Sequence, residues 1–275
     1  APPAAHAALI RAGVAAGVPA IICQKPFCRD LAEARAVTAE AEAAGARLLV
    51  HENFRFMPWW RAMKAALDAG EIGRPWDVTF RLRPGDGQGP DAYLARQPYF
   101  RDMPRFLLRE TGVHLIDVFR FLLGEPEAVW ADLRRLNPAI AGEDAGLLRL
   151  RFPDGVRATL DANRLADHAA EDPRRTLGEA TAEGPGGALR FGGDGVLRRR
   201  RRGEAAETTR PAPPAGPGFG GGCVAAFTTA ALGAIRSGAP FPCEARAYLR
   251  NLEIEAAAYA SAEDGAWRRP AAAPP

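Results

Sequence analysis

At 275 residues the chain has room for two ordinary domains or one large one. It is 47% apolar and 25% charged, close to the globular average, and no apolar run nears the length of a membrane helix, which argues against a membrane anchor. A formal net charge of +3 argues against a nucleic-acid partner, and the run Arg198–Arg202, following FGGDGVL, reads as a solvated hairpin strand.

The four cysteines (Cys23, Cys28, Cys223, Cys243) form no C-x-x-C pair and have no histidines at finger spacing, so neither a metal nor a disulfide framework is expected. Free thiols fit a reducing cytoplasm. The opening APPAAHAALIRAGVAAG lacks the layout of a signal peptide and reads as an incomplete start.

Residues 3–16 are helix-forming and stop at Gly17, and PAIIC then reads as a buried parallel strand. Asp30 is a candidate N-cap for a helix through Ala44, and RLLVH is a second buried strand ending at His51. This α-β-α-β order predicts a partial Rossmann-like parallel unit over residues 1–54, with the polar ends Gln24-Lys25-Pro26 and His51-Glu52-Asn53-Phe54-Arg55 facing one crevice.

After a helix near Pro58–Ala69 the texture turns to β in WDVTFRLR, EAVWADLRRL, AGLLRLRF, GVRATLDANR and TLGEATAEG. A helix around Phe106–Leu123 interrupts it, and two more close the chain near Val224–Arg236 and Ala245–Ala262. The fold class is therefore α/β plus α+β: residues 55–275 form a larger domain with a mostly antiparallel sheet and helices. Gly216, Gly218 and Gly221 formally spell G-x-G-x-x-G, but proline-rich sequence precedes them where a strand is needed, so PAPPAGPGFGGG reads as a loop.

In RETGVHLIDVFRFLLG, Glu110, His114 and Asp117 are spaced by four and three residues, which on a helix places them on one face. A carboxylate one turn away fixes a histidine's tautomer and raises its basicity, although the same triple fits a capped helix with surface carboxylates. Lys25 ends a strand just before Pro26, which restricts it to extended geometry. A lysine and a histidine facing one pocket can exchange a proton with a carbinol while its hydride leaves.

Taken together, VPAIICQKPF, HENFRFMPWWRAMKAALDAGEIGRP, ETGVHLIDVFRFLLGEP and PCEARAYLRNLEIEAAAYASAEDG resemble the Gfo/Idh/MocA family of NAD(P)-dependent oxidoreductases in order and spacing. The resemblance implies hydride transfer between NAD or NADP and a carbinol or carbonyl of a sugar or polyol. It makes Lys25 the lysine of the family's E-K-P motif, with Gln24 departing from the usual glutamate, and His114 the general base. Glu110 becomes its orienting carboxylate, and Asp117 a further acidic contact for substrate.

Pro2, Pro3, His6, Gln24, Lys25, Asn53 and Arg55 are the implied cofactor contacts. The loop RPGDGQGPDAYLARQPYF offers Gln88, Tyr93 and Arg96 to the substrate, beside Asp86, Asp91 and Gln97. Arg83, Asn163, Arg164 and His168 join them from neighbouring strands.

Family members begin with a strand, a glycine-rich turn and a helix that precede anything in this sequence, so the 275-residue chain is expected to bind NAD(P) weakly or not at all and to be inactive alone. It is also expected to leave an open sheet edge with uncovered apolar faces on PAIIC and RLLVH, and to self-associate as a homo-oligomer. The other reading is a cofactor-free ligand-sensing or interaction protein on the same fold.

Overall fold

In the computed structural model, which describes residues 1–271, the chain opens with α1 (Pro3–Ala15), β1 (Ala20–Cys23), α2 (Leu31–Ala43) and β2 (Arg47–Val50). Pro3 starts α1 where a missing amide costs no helical bond. Asp30 caps α2 by accepting the Glu33 amide at 2.8 Å. β1 and β2 pair in parallel, from Ala20 opposite Arg47 to Cys23 opposite Val50. Both strands therefore run out at the same edge and release Gln24-Lys25 and His51-Glu52-Asn53 next to one another.

Only β1 keeps the uncovered apolar face expected of both strands. Ile22 is 38% exposed and Leu9 of α1 is 56% exposed. β2 is covered because the C-terminal segment returns to it: Leu49 bridges to Glu244, and the Val50 amide donates to the Cys243 carbonyl at 2.8 Å.

A short 3-10 turn leads into α3 (Pro58–Asp68), and the β texture then forms one eight-stranded sheet in the order β10-β9-β8-β7-β3-β6-β5-β4. Its strands are β3 (Asp77–Leu82), β4 (Ala128–Arg134), β5 (Ala145–Arg151), β6 (Arg157–Asn163), β7 (Gly178–Gly184), β8 (Gly187–Phe191), β9 (Arg198–Arg201) and β10 (Glu207–Thr209). Every neighbouring pair is antiparallel except β3 and β6. That exception positions the site, because the carboxyl ends of β3 and β6 deliver residues 83–106 and 164–177 to one edge.

Alternation along the strands sends one face inward, as Val78, Phe80 and Leu82 of β3 and Ala158, Leu160 and Ala162 of β6 show. That face packs with Trp60 and Met63 of α3, Leu115 and Phe119 of α4 (Val113–Leu123) and Ile254 and Ala258 of α7 (Ala245–Asp264). The first half of α7 instead joins the opening unit, where Ala245, Tyr248, Leu249 and Leu252 share a core with Ala34, Val37 and Val50. A break after residue 54 therefore separates the sequence more cleanly than it separates the packing.

The arginine run is β9, held between β8 and β10, with Arg198 ion-paired to Asp194 at 2.5 Å and Arg190 to Glu207 at 2.5 Å. The glycine-rich stretch is a loop ending in the 3-10 turn Phe219–Gly222, and two of its three motif glycines have their amides engaged: Gly216 N–H donates to the Gly221 carbonyl at 2.9 Å and Gly221 N–H to the Gly218 carbonyl at 3.3 Å. It ends in α6 (Cys223–Ser237). Contrary to the reading that no such run exists, Phe219–Ser237 is long and apolar enough, by length and composition, to cross a membrane. Part of that apolar surface is accounted for by packing of Phe227, Ala231 and Ala234 on Leu49, Phe241 and Cys243.

Candidate active site

The two crossing points of the fold meet in one cavity of about 290 Å³. Gln24, Lys25, His51 and Asn53 reach it from the ends of β1 and β2; Asp86, Arg96 and Gln97 come from the loop after β3, and Arg164 and Arg174 from the loop after β6. Glu110, Thr111 and His114 close it from the helix between. Ligand pockets of roughly 300–1,000 Å³ are usual, so this one suits a single small molecule.

The Glu110-to-His114 segment is not a regular α-helix. Residues Leu107–Gly112 form a π turn before α4, the Val113 amide bonding back to the Leu108 carbonyl. Gly112 permits it, since a Cβ there would lie 2.6 Å from the Leu108 side chain. The π turn lies between Glu110 and His114, whereas His114 and Asp117 remain three residues apart in α4, and each of the three finds its partner on another element.

His114 is held by Glu52, its Nδ1 lying 2.6 Å from the Glu52 carboxylate, while the Phe54 ring stacks on the imidazole at 3.9 Å and 5°. The orienting carboxylate is therefore Glu52 and not Glu110, a correction that spacing within one helix could not supply. Glu52 also accepts the Phe54 amide at 3.1 Å and the Tyr248 hydroxyl at 3.4 Å. Complete burial, and then the nearby Asp117 charge, push its pKa up to about 8. Burial and the neighbouring Lys25 charge hold the His114 imidazole well below its ordinary value. With Nδ1 engaged, Nε2 is the ring nitrogen left without a partner among the described residues.

Glu110 instead pairs with Lys25, whose Nζ donates to its carboxylate and, at 3.0 Å, to its backbone carbonyl. Burial would raise the Glu110 pKa, but the charges of Lys25 and Arg164 bring it below the usual range. Arg109 fixes the lysine's loop, bonding the carbonyls of Cys28 and Arg29 at 2.9 Å each and Glu255 of α7 at 2.9 Å.

Asp117, read as a substrate contact, is 2% exposed and binds Arg55 through two bonds of 2.6 Å, with Asn251 adding a third at 2.9 Å. That pairing also engages Arg55, read as a cofactor contact, which does not line the cavity. Arg83 is committed to Asp161 at 2.6 Å, and Asn163 accepts the amides of Leu165 and Ala166 at 2.9 and 3.3 Å. Gln88 donates to the Leu165 carbonyl, and Tyr93, at φ 68°, places its hydroxyl between Asp86 and Arg164. His168 bridges the two loops through the Arg83 carbonyl at 2.8 Å and the Thr176 hydroxyl at 3.1 Å. These side chains build the loops and do not line the cavity.

Of the substrate candidates, Asp86, Arg96, Gln97 and Arg164 line it. Arg164 is buried and donates to Asp86 at 2.6 Å, Tyr93 at 2.7 Å and Thr111 at 2.7 Å. Among the cofactor candidates Gln24, Lys25 and Asn53 line it too. His6, bonded to the Pro26 and Ala1 carbonyls at 3.1 Å each, lines a smaller neighbouring cavity of about 240 Å³ that also includes Gln24. Pro2 and Pro3 are spent on starting α1. Glu52, His51, Phe54, Thr111 and Arg174 are among the site residues to which the sequence assigned no role.

The chain's residues 60–180 match the GFO/IDH/MocA C-terminal domain. Over 267 residues it is 35% identical to D-apiose dehydrogenase of Paraburkholderia graminis, an alignment covering 94% of this chain and 68% of that protein. The chain belongs to the Gfo/Idh/MocA family. This Gfo/Idh/MocA member is also 32% identical to inositol 2-dehydrogenase of Rhizobium meliloti, across 59% of its own length and 48% of that protein. In three dimensions it superposes on an oxidoreductase from Agrobacterium radiobacter, solved with NAD+, L-tartaric acid and magnesium, with TM-score 0.84, 28% identity and coverage of 96% of this chain and 77% of the other.

Proposed function

We propose that the protein is a nicotinamide-dependent dehydrogenase of a small polyhydroxylated substrate, with His114 and Lys25 as its acid–base pair. The observation that carries this reading is that His114, its Nδ1 held by Glu52 and its ring stacked on Phe54, lines one cavity together with Lys25. Relatives named as D-apiose and inositol dehydrogenases support the substrate class, and the NAD+ in the Agrobacterium structure supports the cofactor.

The residues fit the nicotinamide end of NAD(P): Gln24, Lys25 and Asn53 stand at the carboxyl ends of parallel strands, where such sheets take ligands, and the exposed Gln24 side chain lines both adjoining cavities. When bound, the nicotinamide supplies the hydride acceptor or donor.

The chain's own part is proton handling. With Glu52 ionised, Nδ1–H of His114 donates to it and the Nε2 lone pair accepts the carbinol proton. With Glu52 protonated, its O–H donates to Nδ1, so that Nε2 carries a hydrogen and donates to a carbonyl oxygen in the reverse direction. Lys25, its charge balanced by Glu110, hydrogen-bonds the same substrate oxygen and favours its anionic form. Burial of Glu52, Glu110 and His114 keeps bulk water from competing for these protons.

The test is nicotinamide reduction by a panel of sugars and polyols, read in wild type and in His114→Ala. General acid–base groups contribute roughly 10²–10⁴-fold. A loss of that size supports the role, and unchanged turnover removes His114 from it.

A further inference from the structure

Lys25, Arg96, Arg164 and Arg174 are the cations lining the cavity, and Asp86 and Glu110 the carboxylates. The two carboxylates are already matched: Glu110 to Lys25, and Asp86 to Arg164 at 2.6 Å. Arg96 and Arg174 are exposed, and among the described residues neither guanidinium has a hydrogen-bond or ion-pair partner. The cavity thus carries two uncompensated positive charges next to neutral hydrogen-bonding groups.

Their backbones are fixed even though their side chains are unpaired. Arg174 opens α5 (Pro173–Thr176), capped by Asp172, which accepts the Arg174 amide at 2.9 Å, and tied through Thr176 to His168 at 3.1 Å. Arg96 follows the turn at Tyr93, whose carbonyl accepts the Arg96 amide at 3.1 Å and the Gln97 amide at 2.9 Å. Tyr93 is in turn anchored by Asp86 and Arg164. Two unpaired arginines lining one small cavity offer planar guanidinium donors suited to the two oxygens of a carboxylate.

We propose that the substrate of this site is an anionic polyol, a sugar acid or hydroxy acid whose carboxylate is bound by Arg174 and Arg96 while its reacting carbinol faces His114 and Lys25. The inference rests on the dehydrogenase reading for the carbinol, but the carboxylate recognition stands on the two arginines alone and is measured without nicotinamide.

The probes are pairs differing in one group, D-glucuronate against D-glucose and D-galacturonate against D-galactose, with L-tartrate as a short diacid, titrated calorimetrically into the 275-residue protein at low ionic strength. At least one acid is expected to bind about tenfold or more tighter than its neutral partner, with the difference lost in Arg174→Gln or Arg96→Gln. Both variants are expected to melt as the wild type does, since neither side chain has a protein partner. Equal binding of acid and neutral sugar, failure of every acid to bind, or a preference surviving in both variants overturns the proposal. If the preference holds while the chain binds NAD(P)+ yet turns over no probe, the dehydrogenase reading fails and the anion site stands.

Discussion

Glu52 is fully buried, bonded to the one nitrogen of His114 that does not serve the cavity, and its ionisation decides whether Nε2 accepts or donates a proton. Carbinol oxidation needs the ionised form, so kcat/KM for oxidation is expected to rise with pH up to and through about 8 and then level off. Glu52→Gln keeps the shape and removes the titration: the rise should flatten and the rate fall, as a pH series on both proteins would read. An unchanged profile in the variant would free His114 from Glu52. At this scale the sequence is legible for Lys25 and His114, because each is marked by local context, a following proline or a helical run. It is not legible for Glu52, because the pairing joins residues 62 positions apart, and helical spacing favoured Glu110 and Asp117, whose charges are used by Lys25 and Arg55.

Among the elements, the π turn Leu107–Gly112 does most to shape the site, for it aims Glu110 at Lys25 and turns Arg109 outward to the Cys28 loop and α7. Arg109→Met removes three contacts at once and leaves Glu255, 4% exposed at its side chain, without its cation. Breaking one partner of a buried pair costs about 3–5 kcal/mol, so a melting temperature lower by on the order of 10 °C is expected in a thermal scan. A shift under about 2 °C would show that α7 and the lysine loop hold together without it.

Element types were readable where periodicity is strong: helices α1 to α3, α6 and α7 and strands β1 to β7 fall within a few residues of their expected places, whereas the helix read over Phe106–Leu123 is α-helical only from Val113. The π turn carries no periodic signature distinct from an α-helix. β10, the three residues Glu207–Thr209, is too short and too polar to alternate, and only its ladder to β9 defines it.

On the scale of the whole molecule, α7 joins the parallel unit to the large sheet, sharing Tyr248 and Leu252 with one core and Ile254 and Ala258 with the other. β1 keeps an unpaired outer edge among the described residues, flanked by the exposed side chains of Leu9, Val18 and Ile22. Self-association through this face is expected to appear as a mass above 29.4 kDa in sedimentation and to weaken in Ile22→Asp. A monomer at high concentration would contradict it.

The central claim, that the Lys25–His114 cavity carries out hydride exchange, is tested most directly by absorbance of reduced nicotinamide with millimolar NAD+ and NADP+, so that weak affinity is not limiting, and a panel of sugars, polyols and sugar acids. Wild type that binds the nicotinamide is expected to turn over at least one of them, with losses of roughly 10²-fold or more in His114→Ala and in Lys25→Met at unchanged melting temperature. Nicotinamide binding without any turnover, or turnover that survives both substitutions, would contradict it and favour a protein that binds its ligand without transforming it.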